Sequence, residues 1–353
     1  MSTRKSRSVS LKDFLKVTRG DSRLESFEEA RRLYVDYHVL LCEAGIYSCA
    51  GIVLSASRAL VRPATRIGNA VQAELVAYDG VSASGLRTIA DLGLQPLLDL
   101  RPQSFLRHLG VGARWQFATA LSAAVGTPRR FFEILFDAYA CVTREVLEQN
   151  AQCRTVLAAN ERSLGCAPFV ATAKFMHGRT VAVAQHGNPI GDFLPTLADQ
   201  YWCRSDRWYE FLKSRSIVPD VRRIADFPVL SGVEYNPHCR RALLVLHNVG
   251  YLEPDVDYGH LSSRVKAACA RAGWALHALP HPANRETYGL PAVDRRSTFE
   301  AALAIGYRST ATDQLPADIP RVSLLDYWPD FFLRQGRSEQ LDDYFSRIDE
   351  ALI

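Results

Sequence analysis

The chain lacks the short motifs that mark most common nucleotide-binding and hydrolytic sites. Its 353 residues contain no GxGxxG loop, no GxxxxGK[ST] loop, no GxSxG elbow and no HExxH pair. Each of these motifs supplies one chemistry, from phosphate binding to nucleophilic attack and zinc coordination. Their absence argues against an ordinary dinucleotide-dependent enzyme, a P-loop NTPase, an α/β-hydrolase and a zinc protease.

Paired cysteines and a strong charge are also missing. The eight cysteines are dispersed without any CxxC pair, which excludes the usual zinc spacing and predicts reduced, mostly buried thiols in a cytoplasmic protein. The 42 basic and 38 acidic residues give a net charge of +4, too mild to favour nucleic acid. Arg4, Lys5 and Arg7 lie in a predicted flexible tail, 1–20, with no apolar core after them, so no signal peptide is expected. The apolar stretch 39–61 is interrupted by polar residues and predicts a buried or amphipathic helix.

What the chain does contain predicts an α/β protein of two domains. Its hydrophobic share of 48% is typical of a globular enzyme with two cores. A helix-rich and α/β domain is expected over 21–226, then a Pro- and Gly-containing linker over 227–240, a Rossmann-like domain over 241–335 and a C-terminal helix over 336–353. Strands are predicted at 74–78, 155–159, 180–184, 200–203, 242–246, 274–279 and 321–325. Helices are predicted at 22–62, at 112–150 in two stretches, and at 164–176, 208–215, 261–272, 298–304 and 338–352.

The sequence Gln185-His186-Gly187-Asn188 follows one of these strands and is the most informative loop. Ligands of open α/β sheets bind at such strand ends. His186 can move a proton near neutral pH, and Gly187 allows a tight turn with exposed amides.

A second set of polar residues follows strands of the later domain. His281 lies between two prolines, with Arg285 four residues further on, and suits contact with a phosphate or leaving group. Arg308, Ser309 and Thr310 form a cluster that can cap a helix and present amides to an anion, and plain capping explains the hydroxyls equally well.

Two carboxylates are further candidates for a general base. Glu161 follows the strand at 155–159, where a charge complementing a helix N-terminus is the more common role. Asp79 precedes Gly80, a pair that also fits a simple turn. The Asp255–Asp257 pair has the spacing of metal-dependent sugar transferases, but it lies in a Pro- and Gly-containing segment instead of at a strand end.

The order of these blocks resembles GT-B-type glycosyltransferases of bacterial surface-polysaccharide assembly. Similar blocks occur in transferases that use CMP-sialic acid or CMP-Kdo, and in CDP-glycerol glycerophosphotransferases. The blocks cover about half the chain, from 155 to 330: 181–187, 195–202, 279–282 and 306–311. Leu279 replaces the lysine often found before Pro-His in these families, and the helical first 150 residues depart from them.

The resemblance implies two Rossmann-like halves facing across a cleft and transfer of a sugar from a nucleotide donor, CMP-linked or CDP-linked, to a glycan or lipid-linked acceptor without metal or cofactor. It implies nucleotide contacts by His281, Ser309 and Thr310, with Arg285 and Arg308 nearby, and an acceptor side at Gln185, Gly187 and Asn188. His186, Glu161 and Asp79 are the candidate bases. It implies a cytoplasmic enzyme, with a peripheral contact at the inner membrane and the oligomeric state left open. A GT-B-fold sugar-nucleotide epimerase, a CDP-glycerol-type phosphotransferase and a noncatalytic assembly protein are the alternatives.

Overall fold

The protein divides into two compact units, Met1–Ile224 and Ala225–Ile353. A computed structural model describes residues 23–43, 45, 48–58, 60, 74–78, 90, 98–158, 160–185, 196–227, 229–246, 257–281, 286–294, 297–307, 309–324 and 337–353. For residues 74–78, 207, 310 and 337–340 it describes the main chain alone. The division between the units falls just before the predicted linker, 227–240.

The first unit alternates helices and strands after a helical beginning. Its helices are α1 (Phe27–Glu43), α2 (Cys49–Ser57), α3 (Pro102–Phe105), α4 (Val111–Ala123), α5 (Pro128–Gln149), α6 (Cys166–His177) and α7 (Asp206–Ser214). Its strands are β1 (Glu74–Tyr78), β2 (Leu98–Asp99), β3 (Thr155–Ala158), β4 (Thr180–Ala184), β5 (Gln200–Cys203) and β6 (Asp220–Arg223). The predicted strands at 74–78, 180–184 and 200–203 have the observed bounds.

Local sequence signals set several helix ends in this unit. Ser26 accepts a hydrogen bond from the Glu29 amide at 3.2 Å, an N-cap contact at the start of α1. Pro128 begins α5, where its missing N–H costs nothing. Gly178 ends α6 with a φ of 61°, a left-handed conformation that glycine adopts without steric cost.

The six strands form one parallel sheet in the order β2-β1-β3-β4-β5-β6. The central pairs are in register, Thr155 with Thr180 and Val183 with Tyr201. α1, α5 and α6 pack against one another beside this sheet, and the buried face of α5 is rich in phenylalanine and leucine. Because β3, β4 and β5 are parallel neighbours, the residues that follow them are brought to one edge of the sheet.

The second unit is a smaller parallel α/β structure. Its elements are β7 (Val233–Tyr235), β8 (Arg241–Val245), α8 (Tyr258–Arg271), β9 (Ala275–Leu279), β10 (Phe299–Ala301), β11 (Leu303–Gly306), α9 (Thr310–Asp313), β12 (Arg321–Ser323) and α10 (Arg337–Ala351). The main sheet has the order β12-β11-β8-β9, and β10 pairs with β7, with every pairing parallel. The two units therefore confirm the predicted α/β class with parallel sheets.

Three segments differ from their predicted structure. The helical region expected at 22–62 is divided into α1 and α2, with Gly45 at a φ of 77° and Ser48 capping α2 between them. The helix expected at 298–304 is wrong, because Phe299–Ala301 and Leu303–Gly306 are strands that pair with β7 and with β8 and β12. The apolar run from 301 to 306 suits a buried strand as well as a helix, and pairing with two buried neighbours decides it. Part of the predicted linker is also a strand, Val233–Tyr235, that belongs to the second unit. Among the described residues, no helix is long and apolar enough to cross a bilayer.

Candidate functional site

The carboxyl ends of β3, β4 and β5 gather polar side chains at one edge of the first sheet. Three short segments follow these strands in neighbouring positions: 160–163 after β3, Gln185 after β4, and Arg204 with Ser205 after β5. We call this set the first carboxyl edge. Such edges are where open α/β sheets place ligands.

Gln185 ties the end of β4 to the end of β5. Its side chain is fully buried, and its Oε1 accepts hydrogen bonds from the amides of Arg204 at 2.8 Å and Ser205 at 3.1 Å. Its Nε2 donates to the Ser205 hydroxyl at 3.1 Å. The main-chain N–H of Gln185 donates to the Trp202 carbonyl at 2.9 Å. Gln185, which the sequence predicts on the acceptor side, therefore fixes the end of β4 to the first residues after β5.

Glu161 lies at the same edge and is 1% exposed. Its Oε1 accepts a hydrogen bond from the Thr196 hydroxyl at 2.6 Å, and its Oε2 accepts one from the Leu197 amide at 2.8 Å. Burial raises the pKa of this carboxyl, while Arg162 and the two hydrogen bonds act in the opposite direction. Both oxygens face protein donors, so the geometry favours a positioning role, holding the segment before β5, over proton abstraction or a charge at a helix N-terminus.

The segment 196–199 is fastened by further polar contacts. Lys174 donates to the Leu197 carbonyl at 2.8 Å and forms an ion pair with Asp199 at 2.6 Å. Arg23 also pairs with Asp199, at 3.0 Å. Together with Glu161, these contacts fix the segment that leads into β5.

Two buried arginines complete the first carboxyl edge. Arg162 is 7% exposed and Arg204 is 3% exposed, and they lie in the segments after β3 and β5. A guanidinium keeps its charge when buried and suits phosphate or carboxylate groups. The Arg162 guanidinium lies close enough to Glu161 for its charge to lower the pKa of that carboxyl, against the effect of burial.

In the second unit, the predicted nucleotide contacts also follow parallel strands. His281 follows β9 and Pro280 and is half-buried. Ser309, between β11 and α9, is buried, and its Oγ accepts a hydrogen bond from the Ala311 amide at 3.3 Å. Thr310 is the first residue of α9. Since β9 and β11 both pair with β8, these residues lie at the carboxyl edge of one sheet.

Close packing shapes this second edge beside Ser309. A Cβ atom on Gly306 would lie 2.6 Å from the Thr312 hydroxyl, so the end of β11 requires glycine there. Asp257, one residue of the predicted Asp-x-Asp pair, caps α8 instead, because its Oδ1 accepts a hydrogen bond from the His260 amide at 2.9 Å.

Several predicted site residues lie outside the described part of the chain. These are the base candidates His186 and Asp79, the loop residues Gly187 and Asn188, and the two arginines Arg285 and Arg308. The structure thus brings Gln185 and Glu161 to one edge, and His281, Ser309 and Thr310 to another. Within the described ranges, no cluster of three or more metal-ligating side chains occurs.

Sequence reasoning missed Arg162, Arg204 and Thr196. Arg204 directly follows the predicted strand 200–203, and the rule that singled out His186 would also have found it. Thr196 has no comparable signal, because its contact with Glu161 spans 35 residues of chain. No protein-family model matches the chain, and no curated protein sequence matches it either.

Proposed function

We propose that the protein is a glycosyltransferase that moves a sugar from a nucleotide donor, CMP-linked by preference, to a hydroxyl of a glycan or lipid-linked acceptor without a metal ion. The observation that carries this proposal is the presence of two parallel α/β units, each with polar residues fixed at the carboxyl edge of its sheet. A GT-B transferase needs such a pair of edges, one for the donor and one for the acceptor. The process in which this transferase acts is the assembly of bacterial surface polysaccharide.

The donor is assigned to the edge of the second unit. His281 and the amides at Ser309 and Thr310 contact the nucleotide phosphates, with Arg285 and Arg308 adding charge. The Ser309 oxygen already accepts a hydrogen bond, and its O–H proton remains suited to donate to a phosphate oxygen. Donors of this kind stabilise the charge that develops on a leaving phosphate.

The acceptor is assigned to the first carboxyl edge. Gln185 fixes the main chain immediately before His186, which makes His186 the preferred base, with Asp79 as the second candidate. Glu161 holds the segment before β5 through Thr196 and supports the site without taking the proton.

The proposed reaction is a displacement at the anomeric carbon of the donor sugar. The base takes the proton of the acceptor hydroxyl, and the acceptor oxygen forms a bond to the anomeric carbon. The bond from that carbon to the donor phosphate breaks, and its electron pair leaves with the nucleotide. A single displacement inverts the anomeric centre, and the retaining counterpart is the other possible outcome.

The first test is a thermal-shift screen of the full chain with CMP, CDP, UDP and GDP. A ligand that binds only the folded state raises its stability by RT ln(1+[L]/Kd). We expect stabilisation by a cytidine nucleotide, and no response to any of the four would contradict the proposal. Incubation with a CMP-sugar alone separates the alternatives, because an epimerase yields an isomer and a transferase needs an acceptor.

The second test is the variant His281→Ala, with His238→Ala as its matched control on an exposed loop of the same unit. Loss of a group that stabilises the leaving phosphate should reduce turnover by about 10²-fold or more. Full activity in a folded His281→Ala protein would remove His281 from the site.

A further inference from the structure

Two cysteine thiols meet where α1 ends and α2 begins. Cys42 is the last residue but one of α1, and Cys49 is the first residue of α2. Their Sγ atoms are 3.8 Å apart, and both thiols are free. A disulfide bond holds two sulfurs about 2 Å apart, and rotation of a side chain moves a sulfur through a distance of the size that remains. The pair is therefore within reach of a disulfide without rearrangement of the helices.

Hydrogen bonds that do not involve the sulfurs hold the two cysteines in place. The carbonyl of Cys42 accepts a hydrogen bond from the Gly45 amide at 3.0 Å, and Gly45 has a φ of 77°, which glycine adopts without steric cost. At the other end of the connection Ser48 caps α2, because its Oγ accepts a hydrogen bond from the Gly51 amide at 3.0 Å. The turn after α1 and the start of α2 thus set the positions from which the thiols meet.

The two thiols differ in their access to solvent. Cys42 is half-buried, whereas Cys49 is 4% exposed. Burial raises the pKa of Cys49 to about 12, with further contributions from the charge of Cys42 and from the hydrogen bond between the two side chains, while a main-chain hydrogen bond acts in the opposite direction. A reagent in solution therefore reaches Cys42 first, and Cys49 lies beside it as a protected second thiol.

We propose that Cys42 and Cys49 form a reversible oxidation site, which closes to an intramolecular disulfide when it reacts with a small-molecule disulfide such as oxidised glutathione. An accessible thiol with a second thiol poised beside it is the arrangement that such a site needs. The proposal does not depend on the transferase activity.

Thiol–disulfide exchange accounts for both steps of the reaction. The Cys42 thiolate attacks one sulfur of oxidised glutathione, so the S–S bond of the reagent breaks, a mixed disulfide forms at Cys42 and one glutathione thiolate leaves. This step removes the charge of Cys42, which is one cause of the raised pKa of Cys49. Cys49 then loses its proton and attacks the Cys42 sulfur, and the second glutathione leaves. The cysteine pair loses two electrons and two protons, and oxidised glutathione gains them as two thiols.

The disulfide joins two parts of the first unit that make different contacts. α1 packs against α5 and α6, and α2 contacts α3 and α4. A crosslink between residues 42 and 49 restricts the unfolded chain, so we expect oxidation to raise the unfolding midpoint by several degrees.

Mass spectrometry of the full native chain tests the pair directly. The protein is incubated with oxidised glutathione, its remaining thiols are blocked with N-ethylmaleimide, and it is digested with trypsin without reduction. Both cysteines lie in the single tryptic peptide 33–58, so the disulfide lowers the mass of this peptide by two hydrogen atoms, whereas glutathione or N-ethylmaleimide adds mass. We expect the lighter peptide to be the main product and dithiothreitol to return it to the reduced form.

Two variants separate the roles of the thiols. Cys49→Ser should stop at a stable mixed disulfide between Cys42 and glutathione, because the second thiol is missing. Cys42→Ser should leave Cys49 unmodified, because Cys49 is buried. Cys239→Ser is the matched control, since it removes another half-buried cysteine, one whose Sγ donates to the Glu300 carbonyl at 3.7 Å in the second unit. This control should form the disulfide and gain thermal stability as the wild type does.

The outcomes decide the proposal with or without the variants. A wild-type peptide 33–58 that keeps both thiols in excess oxidised glutathione would overturn it, and this measurement needs no variant to fold. Equal amounts of stable mixed disulfide in the wild type and Cys49→Ser would also contradict it, as would an equal rise of their unfolding midpoints on oxidation. The nucleotide thermal shifts are measured on reduced protein, so they test the proposed function separately.

Discussion

His38 should make the first unit less stable as the pH falls from 6.5 towards 3. Its imidazole is fully buried on α1, stacked on Phe132 at 5.4 Å and edge-on to Tyr34 and Tyr37 at 4.4 and 5.1 Å. Burial lowers the pKa of His38 to about 3, a hydrogen bond with the Arg162 main chain opposes this, and the Arg162 charge lowers it further.

The sign and size of the effect follow from proton binding. Between pH 6.5 and about 3 the unfolded chain binds a proton at His38 and the folded chain does not, so unfolding is favoured as the pH falls. Each pH unit below 6.5 lowers the free energy of unfolding by about 1.4 kcal/mol, so the loss at pH 5 is roughly 2 kcal/mol. Above pH 6.5 both states are neutral and the contribution is constant.

The assay compares the wild type with His38→Phe in urea unfolding at pH 7.5 and pH 5, followed by tryptophan fluorescence. His38→Phe keeps an aromatic ring in the cluster but cannot bind a proton. Its free energy of unfolding should therefore fall by about 2 kcal/mol less than that of the wild type between the two pH values. Glu161 titrates in the opposite direction, since its raised pKa favours the folded state at low pH, and comparison of the two proteins cancels its contribution.

Substitution of His238, an exposed histidine, with Gln is the control and should follow the wild type. Parallel pH dependence in wild type and His38→Phe would refute the reasoning. Protonation of the His38 ring above pH 5, observed by NMR in the folded protein, would refute it independently.

Further predictions concern two glycines and one carboxylate. Gly165→Ala should destabilise the first unit by about 1–3 kcal/mol, because the new Cβ would lie 2.4 Å from the Leu100 carbonyl oxygen. Gly112→Ala, which meets nothing within 4 Å on α4, should stabilise by up to about 1 kcal/mol, and equal effects of the two changes in thermal unfolding would contradict this packing. Glu161→Gln should cost about 1–3 kcal/mol, because a carboxamide has one accepting oxygen for the two donors at Thr196 and Leu197. An unchanged urea midpoint for Glu161→Gln would show that these hydrogen bonds contribute little.

Strand prediction succeeded where a short apolar run stands between clear breaks. Thr180–Ala184 lies between Gly178 and the polar Gln185, and a buried parallel strand satisfies such a run without any information on its neighbours. The short edge strand Leu98–Asp99 and the charged Asp220–Arg223 carry no such signal. Their strand character comes from pairing with β1 and β5.

The helix predicted at 298–304 shows the limit of the same reasoning. An apolar run fits either a buried helix or a buried strand, and intrinsic preference is too weak to choose between them. Pairing with β7, β8 and β12 places the run inside sheets, where its main-chain groups are satisfied by neighbouring strands.

The candidate site was also predicted only in part from the sequence. Local sequence was enough to place Gln185, Glu161 and His281 at strand ends, because a strand end is a property of a few consecutive residues. It did not do so for Ser309, because the strand before it, Leu303–Gly306, falls largely where a helix was predicted. Local sequence could not predict their contacts, because the partners of Gln185 lie 19 and 20 residues away along the chain and those of Glu161 lie 35 and 36 residues away. The sequence by itself thus determined the α/β class and where polar residues follow strands. Only the tertiary structure decided that Glu161 and Gln185 hold the segments before and after β5, because these contacts depend on which distant segments the packing of strands and helices brings together.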